Sequence, residues 1–458
     1  MKKTLFLAIT LVAVFIGCKS EPIKQQSDAP DLPDQKVVKP TAVQRPTVQV
    51  VPFEGNTYYV QATGSDQNRG TVNAPFKTLD RAIKEAQASP VKNITIIGKL
   101  DSSSENTPEK AESVFVIQDS GSEKITITGT ASSEPAVLSG TSAKTVINIS
   151  GTSVIRFENI EISGGVNGYA AGGIAVDGAS LELGNGTVVR ANNSIYSSGG
   201  IYIANGGTFT LDGGTVTENK GTAGGIFVDK GSTATLSKGE ISKNTSQTGG
   251  SGLLVSGTVT LGAVTIQQND GGAVLVAEDG ILNVIKGALI TSNTCAYTGA
   301  LFISQGGVVT LSGGEISKNA GGGVVVSQGG TLVMQTGAVI KNNKDYFTSG
   351  GVRVYGTFNL EDGLIYENEG TGVFVASGGT FTMSGGLIKD NVHYMLGGGV
   401  LAEGTFTMTG GEITGNRANA GGGIAKASQA LVTIANLSSI YDNVATDGYG
   451  ADVLGVAQ

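Results

Sequence analysis

Gly199–Asn219 reads GGIYIANGGTFTLDGGTVTEN, and the chain repeats that phrase with small changes as far as Asn443. Its closing asparagine recurs at Asn192, Asn219, Asn244, Asn269, Asn293, Asn319, Asn342, Asn368, Asn391, Asn416 and Asn443, at spacings of 23 to 27 residues. A fixed period in this range marks a stacked-repeat architecture. Each unit holds three short runs of β-branched, aromatic and aliphatic residues (here IYI, TFTL and TVT) divided by glycine. Such runs predict strands joined by sharp turns, and none is long enough for a helix. Three strands in one unit enclose no core alone, but stacking pairs each with its counterpart about 4.8 Å away. The expected fold is all-β, a three-faced parallel β-helix (a solenoid), with eleven repeats spanning roughly 50 Å.

Column reading assigns the side chains. In the middle run one column holds Phe209, Ala234, Val259, Leu282, Val309, Leu332, Phe358, Phe381, Phe406 and Val432. The next alternate column holds Leu211, Leu236, Leu261, Val284, Leu311, Met334, Leu360, Met383, Met408 and Ile434, with threonine mostly between. A period of two puts the apolar columns inside and threonine outside. Val216, Ile241, Ile316, Ile365, Ile388 and Ile413 make the inward column of the last run. The asparagines then fall at a turn, where stacked amides satisfy backbone groups that bending would strand. The threonine columns also suggest an ice-binding face, but Ile281, Val308, Val333 and Leu431 interrupt them.

The 458 residues include 71 Gly, one His, two Cys and no Trp, a turn-rich all-β composition. Two lysines and an apolar run from Leu5 to Gly17 open the chain, which predicts a secretory signal over 1–17. The ending Phe15-Ile16-Gly17-Cys18 resembles a bacterial lipobox, with Phe15 in place of the usual Leu or Val. That resemblance implies lipidation of Cys18, and several acyl chains anchor a protein to a membrane effectively for good. Lys19 in place of Asp implies the outer membrane by resemblance to enterobacterial sorting. Residues 18–53 carry six of the ten prolines, an extended tether. Removing 1–17 leaves 28 basic against 38 acidic residues, net −10, which disfavours nucleic acid as a partner.

A second informative stretch is Asn56–Ala88. Tyr59-Val60, Gly64-Ser65-Asp66, Asn68, Gly70-Thr71, Ala74-Pro75-Phe76 and Thr78-Leu79, then a helix around Ala82-Ile83, resemble the entrance of pectin-lyase-like right-handed parallel β-helix proteins. Phe76, Leu79, Ile83 and Ala86 share one helical face, so a short amino-terminal helix is expected to plug the open end within a cap over 54–92. The β-helix is then expected over 93–458. The GG-Ile/Val starts and x-x-Asn endings are also similar to repeats of chlamydial polymorphic outer-membrane proteins, with Ile mostly replacing their Phe and no translocator barrel following.

Enzymes of the pectin-lyase-like fold group carboxylates with a basic residue, and sometimes calcium, on an outward face. Within the repeats no column stacks two or three acids beside a base. Lys344, Asp345, Tyr346, Arg353 and Tyr355 form the best polar group, and Asp229, Glu278, Asp279 and Glu403 stand singly. His393 is the only histidine and Cys295 the one thiol besides Cys18, so no metal, cofactor or catalytic set is assigned. The first strand of each unit is different. Its middle column reads Ala175, Tyr202, Phe227, Leu254, Leu275, Phe302, Val325, Arg353, Phe374, Leu401 and Ala425, between inward Ile and Val. An outward apolar stripe marks an interaction site unless loops cover it. Loops leading into it carry Tyr196, Tyr297, Tyr346, Tyr394 and Tyr449, which suit a protein or stacking on sugar rings.

The expected function is a lipid-anchored, surface-exposed binding or adhesion module for glycans or protein partners. Its binding residues would be Tyr202, Phe227, Phe302, Arg353, Phe374, Tyr346 and Tyr394. The alternatives are a polysaccharide lyase or glycoside hydrolase with a site near Arg353, and a purely structural surface protein.

Overall fold

Glycine-punctuated β-branched runs do become strands, three to a turn, and each pairs in parallel with the same run one turn on. The computed structural model describes residues 55–105, 112–130, 135–141, 143–246, 248–295, 298–345 and 348–455. The expected signal segment, Cys18 and the tether lie outside the described residues. Ile201–Ala204 pairs with Ile226–Val228, which pairs with Leu253–Val255; in register, Tyr202 lies beside Phe227 and Phe227 beside Leu254. First strands from successive turns build one 14-stranded sheet. Middle and last strands share a second, 26-stranded sheet, because Thr208–Thr217, Thr233–Ser242 and Thr258–Gln267 each run through the corner between them.

The inward columns form one hydrophobic core. From Phe209 to Phe406 and from Leu211 to Met408 every member of the two middle-strand columns is buried, while Val432 and Ile434 in the final turn are only partly so. Phe358, Phe381 and Phe406 stack face to face, with centroids 4.9 Å apart at each step. Successive turns repeat at the strand spacing, so identical rings meet with no gap between them.

The asparagine column is a buried hydrogen-bond ladder. Asn219 Nδ2 donates to Asn244 Oδ1 at 3.1 Å and to Val189 O at 2.9 Å, while its Oδ1 accepts from the N–H (3.1 Å) and Nδ2 (3.0 Å) of Asn192. All four bonding sites of the amide are used, so a polar stripe runs through the turn without a stranded group. One member corrects the sequence reading. Asn343, not Asn342, holds the seventh rung: its Oδ1 accepts from Asn319 N at 3.1 Å and Asn319 Nδ2 at 2.9 Å. Asn342 instead takes the left-handed position, φ 52°, that Glu218, Lys243, Gln268 and Lys318 fill before their own ladder asparagines. Asp452 closes the ladder, its Oδ1 accepting from Asn443 N at 3.1 Å and Nδ2 at 3.0 Å.

The amino-terminal helix spans Leu79–Ala88 and buries Leu79, Ala82, Ile83 and Ala86. Phe76 is buried but lies before it, bridged to Val60, which corrects the expected four-residue helical face. The start is fixed by capping. Asp66 Oδ1 accepts from Lys77 N at 3.0 Å and Thr78 N at 2.9 Å, and Thr78 Oγ1 accepts from Arg81 N at 3.1 Å. Among the described residues no helix is long and apolar enough to cross a membrane.

Candidate functional site: the first-strand face and its loops

Alternation settles which first-strand side chains face out. Ile201, Ile203, Ile226 and Val228 are buried in the core, whereas Tyr202, Phe227, Phe302, Arg353 and Phe374 lie on the opposite face, each half-buried. Tyr202 and Phe227 pack at 5.1 Å between centroids, and the Tyr202 hydroxyl donates to Asp229 Oδ2 at 2.6 Å. Burial, then the Asp229 carboxylate, pushes the Tyr202 phenol well above its ordinary range.

Glycines in the loops explain the partial cover. A β-carbon at Gly250 would fall 2.7 Å from Leu275 Cβ, and one at Gly397 would fall 2.9 Å from Leu401 Cβ. Both glycines have positive φ, 67° and 65°, so their bare backbone turns back over the outward column. The stripe is neither bare nor sealed.

Arg353 takes a position that neighbouring turns fill with Val325 and Phe374. Its guanidinium donates to Asp345 Oδ2 and Thr348 Oγ1, and its Nε is buried with no hydrogen-bond partner among the described residues. The ion pair ties a long loop to the sheet; Tyr346, in that loop, lies outside the described residues. Tyr394 is 48% exposed, beside exposed Val392, Met395 and Leu396. Its neighbour His393 is buried, with Nδ1 2.9 Å from Leu396 O, and so anchors the loop that displays them. Cys295 is buried, and its thiol donates to Ala320 O at 2.9 Å. Burial pushes that thiol up to about 12.

Loop length alternates along this edge. Between the ladder asparagines Asn244, Asn269, Asn293, Asn319, Asn343, Asn368 and Asn391 and the first strands that follow, 8, 4, 7, 4, 8, 4 and 8 residues intervene. Long loops therefore stand about 9.6 Å apart, two turns, with short loops between. The signal was present in the sequence as alternating repeat spacings, but a single averaged period hides it.

Two polar features also escaped column reading. A cleft of ≈ 550 Å³ opens among Asn193, Ser194, Thr222, Thr245, Ser246 and Thr248, with Ile195, Lys220 and Asp270 on its walls. On the outward middle-strand face, Arg156 contacts Glu158 at 2.7 Å, Asp212 at 3.5 Å and Glu182, which also meets Lys124 at 2.5 Å. Of the acids read as standing singly, Asp279 pairs with Lys230 at 2.8 Å and Asp229 accepts from the Tyr202 hydroxyl, which corrects that reading for these two. Irregular early coils put Arg156 and Glu182 in register, where a strict period does not align them. The guanidinium is spent on protein carboxylates, and among the described residues no group of three or more His, Cys, Asp or Glu is placed to hold a metal ion.

Residues 250–436 match the family described as right handed beta helix region, and the fold is that of a right-handed parallel β-solenoid. No curated protein matches the chain. Among solved structures, a GH136 lacto-N-biosidase from Eubacterium ramulus is similar at 11% identity and TM-score 0.28, over 82% of this chain and 68% of that one. A rhamnogalacturonan lyase is similar at 10% identity and TM-score 0.21, over 86% and 90%. Likeness this distant bears on neither activity nor substrate.

Proposed function

We propose that this protein is a binding or adhesion module of the bacterial cell envelope, held by a lipid on Cys18 and a proline-rich tether. Its rod presents the first-strand face and the loops beside it to a glycan or protein partner. The observation that carries the reading is the half-buried row Tyr202, Phe227, Phe302 and Phe374, flanked by long loops bearing exposed apolar side chains such as Tyr394. Leu254 and Val325 of the same column are buried, so the accessible surface is these rings together with the loop side chains. Apolar side chains gathered on one face support a partner-binding reading. An enzyme would need titratable groups left free for a substrate. Arg353 is instead ion-paired with Asp345, and Arg156 with Glu158, Glu182 and Asp212.

The test is a panel of glycans and envelope or host proteins, probed with the full chain and with Phe302→Asp/Phe374→Asp. The reading expects a ligand whose capture the double variant loses while its circular dichroism stays native. Capture that survives in the variant moves recognition off this face. For the anchor, metabolic labelling with a palmitate analogue should mark the chain and spare Cys18→Ser; equal labelling of both would refute lipidation there.

A further inference from the structure

We infer that the ≈ 550 Å³ cleft, together with the ring pair Tyr169 and Tyr196, is a subsite for a neutral glycan, which deepens the binding reading above and rests on it. Tyr169 and Tyr196 stack on each other at 5.3 Å between centroids, 27° from parallel, yet remain 83% and 66% exposed. Their loops are held by backbone bonds, Ile195 N to Asn167 O at 3.3 Å and Tyr196 N to Gly168 O at 3.0 Å. The rings are therefore positioned and displayed at once, the arrangement that stacks on an apolar sugar face.

Ile195, adjacent to Tyr196 in the chain, is also a wall of the cleft, so the ring pair and the cleft share one loop. The hydroxyls lining it donate inward. Ser194 Oγ donates to Ala170 O at 2.8 Å, Ser246 Oγ to Thr222 O at 2.6 Å and Thr248 Oγ1 to Thr222 O at 3.0 Å. Ser194 is buried and accepts from Ser197 N, and Ser246 accepts from Thr248 N, both at 3.1 Å. The lone pairs left for a ligand are therefore chiefly those of Thr248 and of Thr222, whose Oγ1 donates to Ile195 O at 3.3 Å. The threonine oxygens thus offer acceptors to a ligand that carries O–H donors. One cation, Lys220, and one anion, Asp270, border the cleft, which gives no excess charge to select a phosphate or a polyuronate.

The experiment is calorimetric titration of the full chain with neutral hexose and N-acetylhexosamine oligosaccharides of both linkage configurations. Tyr169→Ala, Tyr196→Ala, Thr245→Arg and a control on another face, Tyr441→Ala, are titrated alongside. Each tyrosine variant is expected to weaken binding about tenfold, the loss of one ring contact. Thr245→Arg, whose side chain fills the cleft, should weaken it at least as much, and Tyr441→Ala should leave it unchanged. Undiminished binding in both tyrosine variants would overturn the subsite while leaving the binding function standing. A chain that captures proteins and no neutral glycan overturns the ligand class alone. A chain that captures nothing overturns the proposed function as well.

Discussion

Asn342 and Asn343 are adjacent and chemically identical, yet they should differ by several kcal/mol. Asn343 Nδ2 donates to Ile316 O at 2.9 Å and Asn368 Oδ1 at 3.1 Å, and its Oδ1 accepts the Asn319 N–H and Nδ2. Asn343→Ala strands two buried donors, the Asn319 N–H and one Nδ2–H, at about 1 kcal/mol each, and removes the donors to Ile316 O and Asn368 Oδ1, at about 1 kcal/mol net each, for a total of about 4 kcal/mol. Asn342 contributes mainly a tolerated left-handed φ and a bond to Glu367 Oε2 at 3.0 Å. Asn342→Gly relieves about 1 kcal/mol of backbone strain. It gives up a similar amount of unfolded-chain entropy, so stability should stay within about 0.5 kcal/mol of the parent. Urea unfolding followed by far-ultraviolet circular dichroism reads both values. Hydrogen exchange of the Asn319 amide, which donates to Asn343 Oδ1, should quicken in Asn343→Ala only. A loss below about 1 kcal/mol in Asn343→Ala, or equal losses in both variants, would refute the ladder assignment.

Three further outcomes follow from the same geometry. With its thiol held up to about 12 from an ordinary 9.0 by burial, Cys295 should alkylate roughly a thousandfold more slowly in the native chain than in urea; native labelling at the rate of a free thiol would contradict the burial. Glu105 accepts from Leu79 N at 2.7 Å at the helix start, and burial pushes its carboxyl up to about 7 from 4.5. The native state therefore binds more protons than the unfolded one between those values, and cap stability falls as pH rises from 4.5 to 7, by at most about 3 kcal/mol. Hydrogen exchange over Leu79–Ala88 should show that slope and Glu105→Gln should flatten it; an unchanged slope in the variant rules Glu105 out. Gly397→Ala places a β-carbon 2.5 Å from Val400 O at φ 65° and should cost at least about 2 kcal/mol while raising the exposure of Leu401; a neutral result would show that the loop is not seated on the sheet.

The period and its alternation were enough to place nearly every core side chain, because a stack with one strand spacing forces the same position inward at each turn. Phe358, Phe381 and Phe406 illustrate this: sequence register alone puts them in one column, and the column puts them in contact. Sequence could not choose between Asn342 and Asn343, since the choice rests on which backbone takes the left-handed turn. The Arg156 cluster was hidden because early coils vary in length. How far the loops shade Leu275 and Leu401 depends on the paths of Gly250 and Gly397, which no side-chain pattern encodes. Tyr196 was visible as a loop aromatic, but its pairing with Tyr169 from the preceding turn is a product of the stack.

The most direct test of the binding account is to recover whatever ligand the chain captures after prolonged incubation and to measure its length. The account predicts a ligand retained on the protein and returned intact, with the same size distribution as the input. A retained polysaccharide that comes back shorter, with new chain ends accumulating over time, would contradict it and make the protein an enzyme.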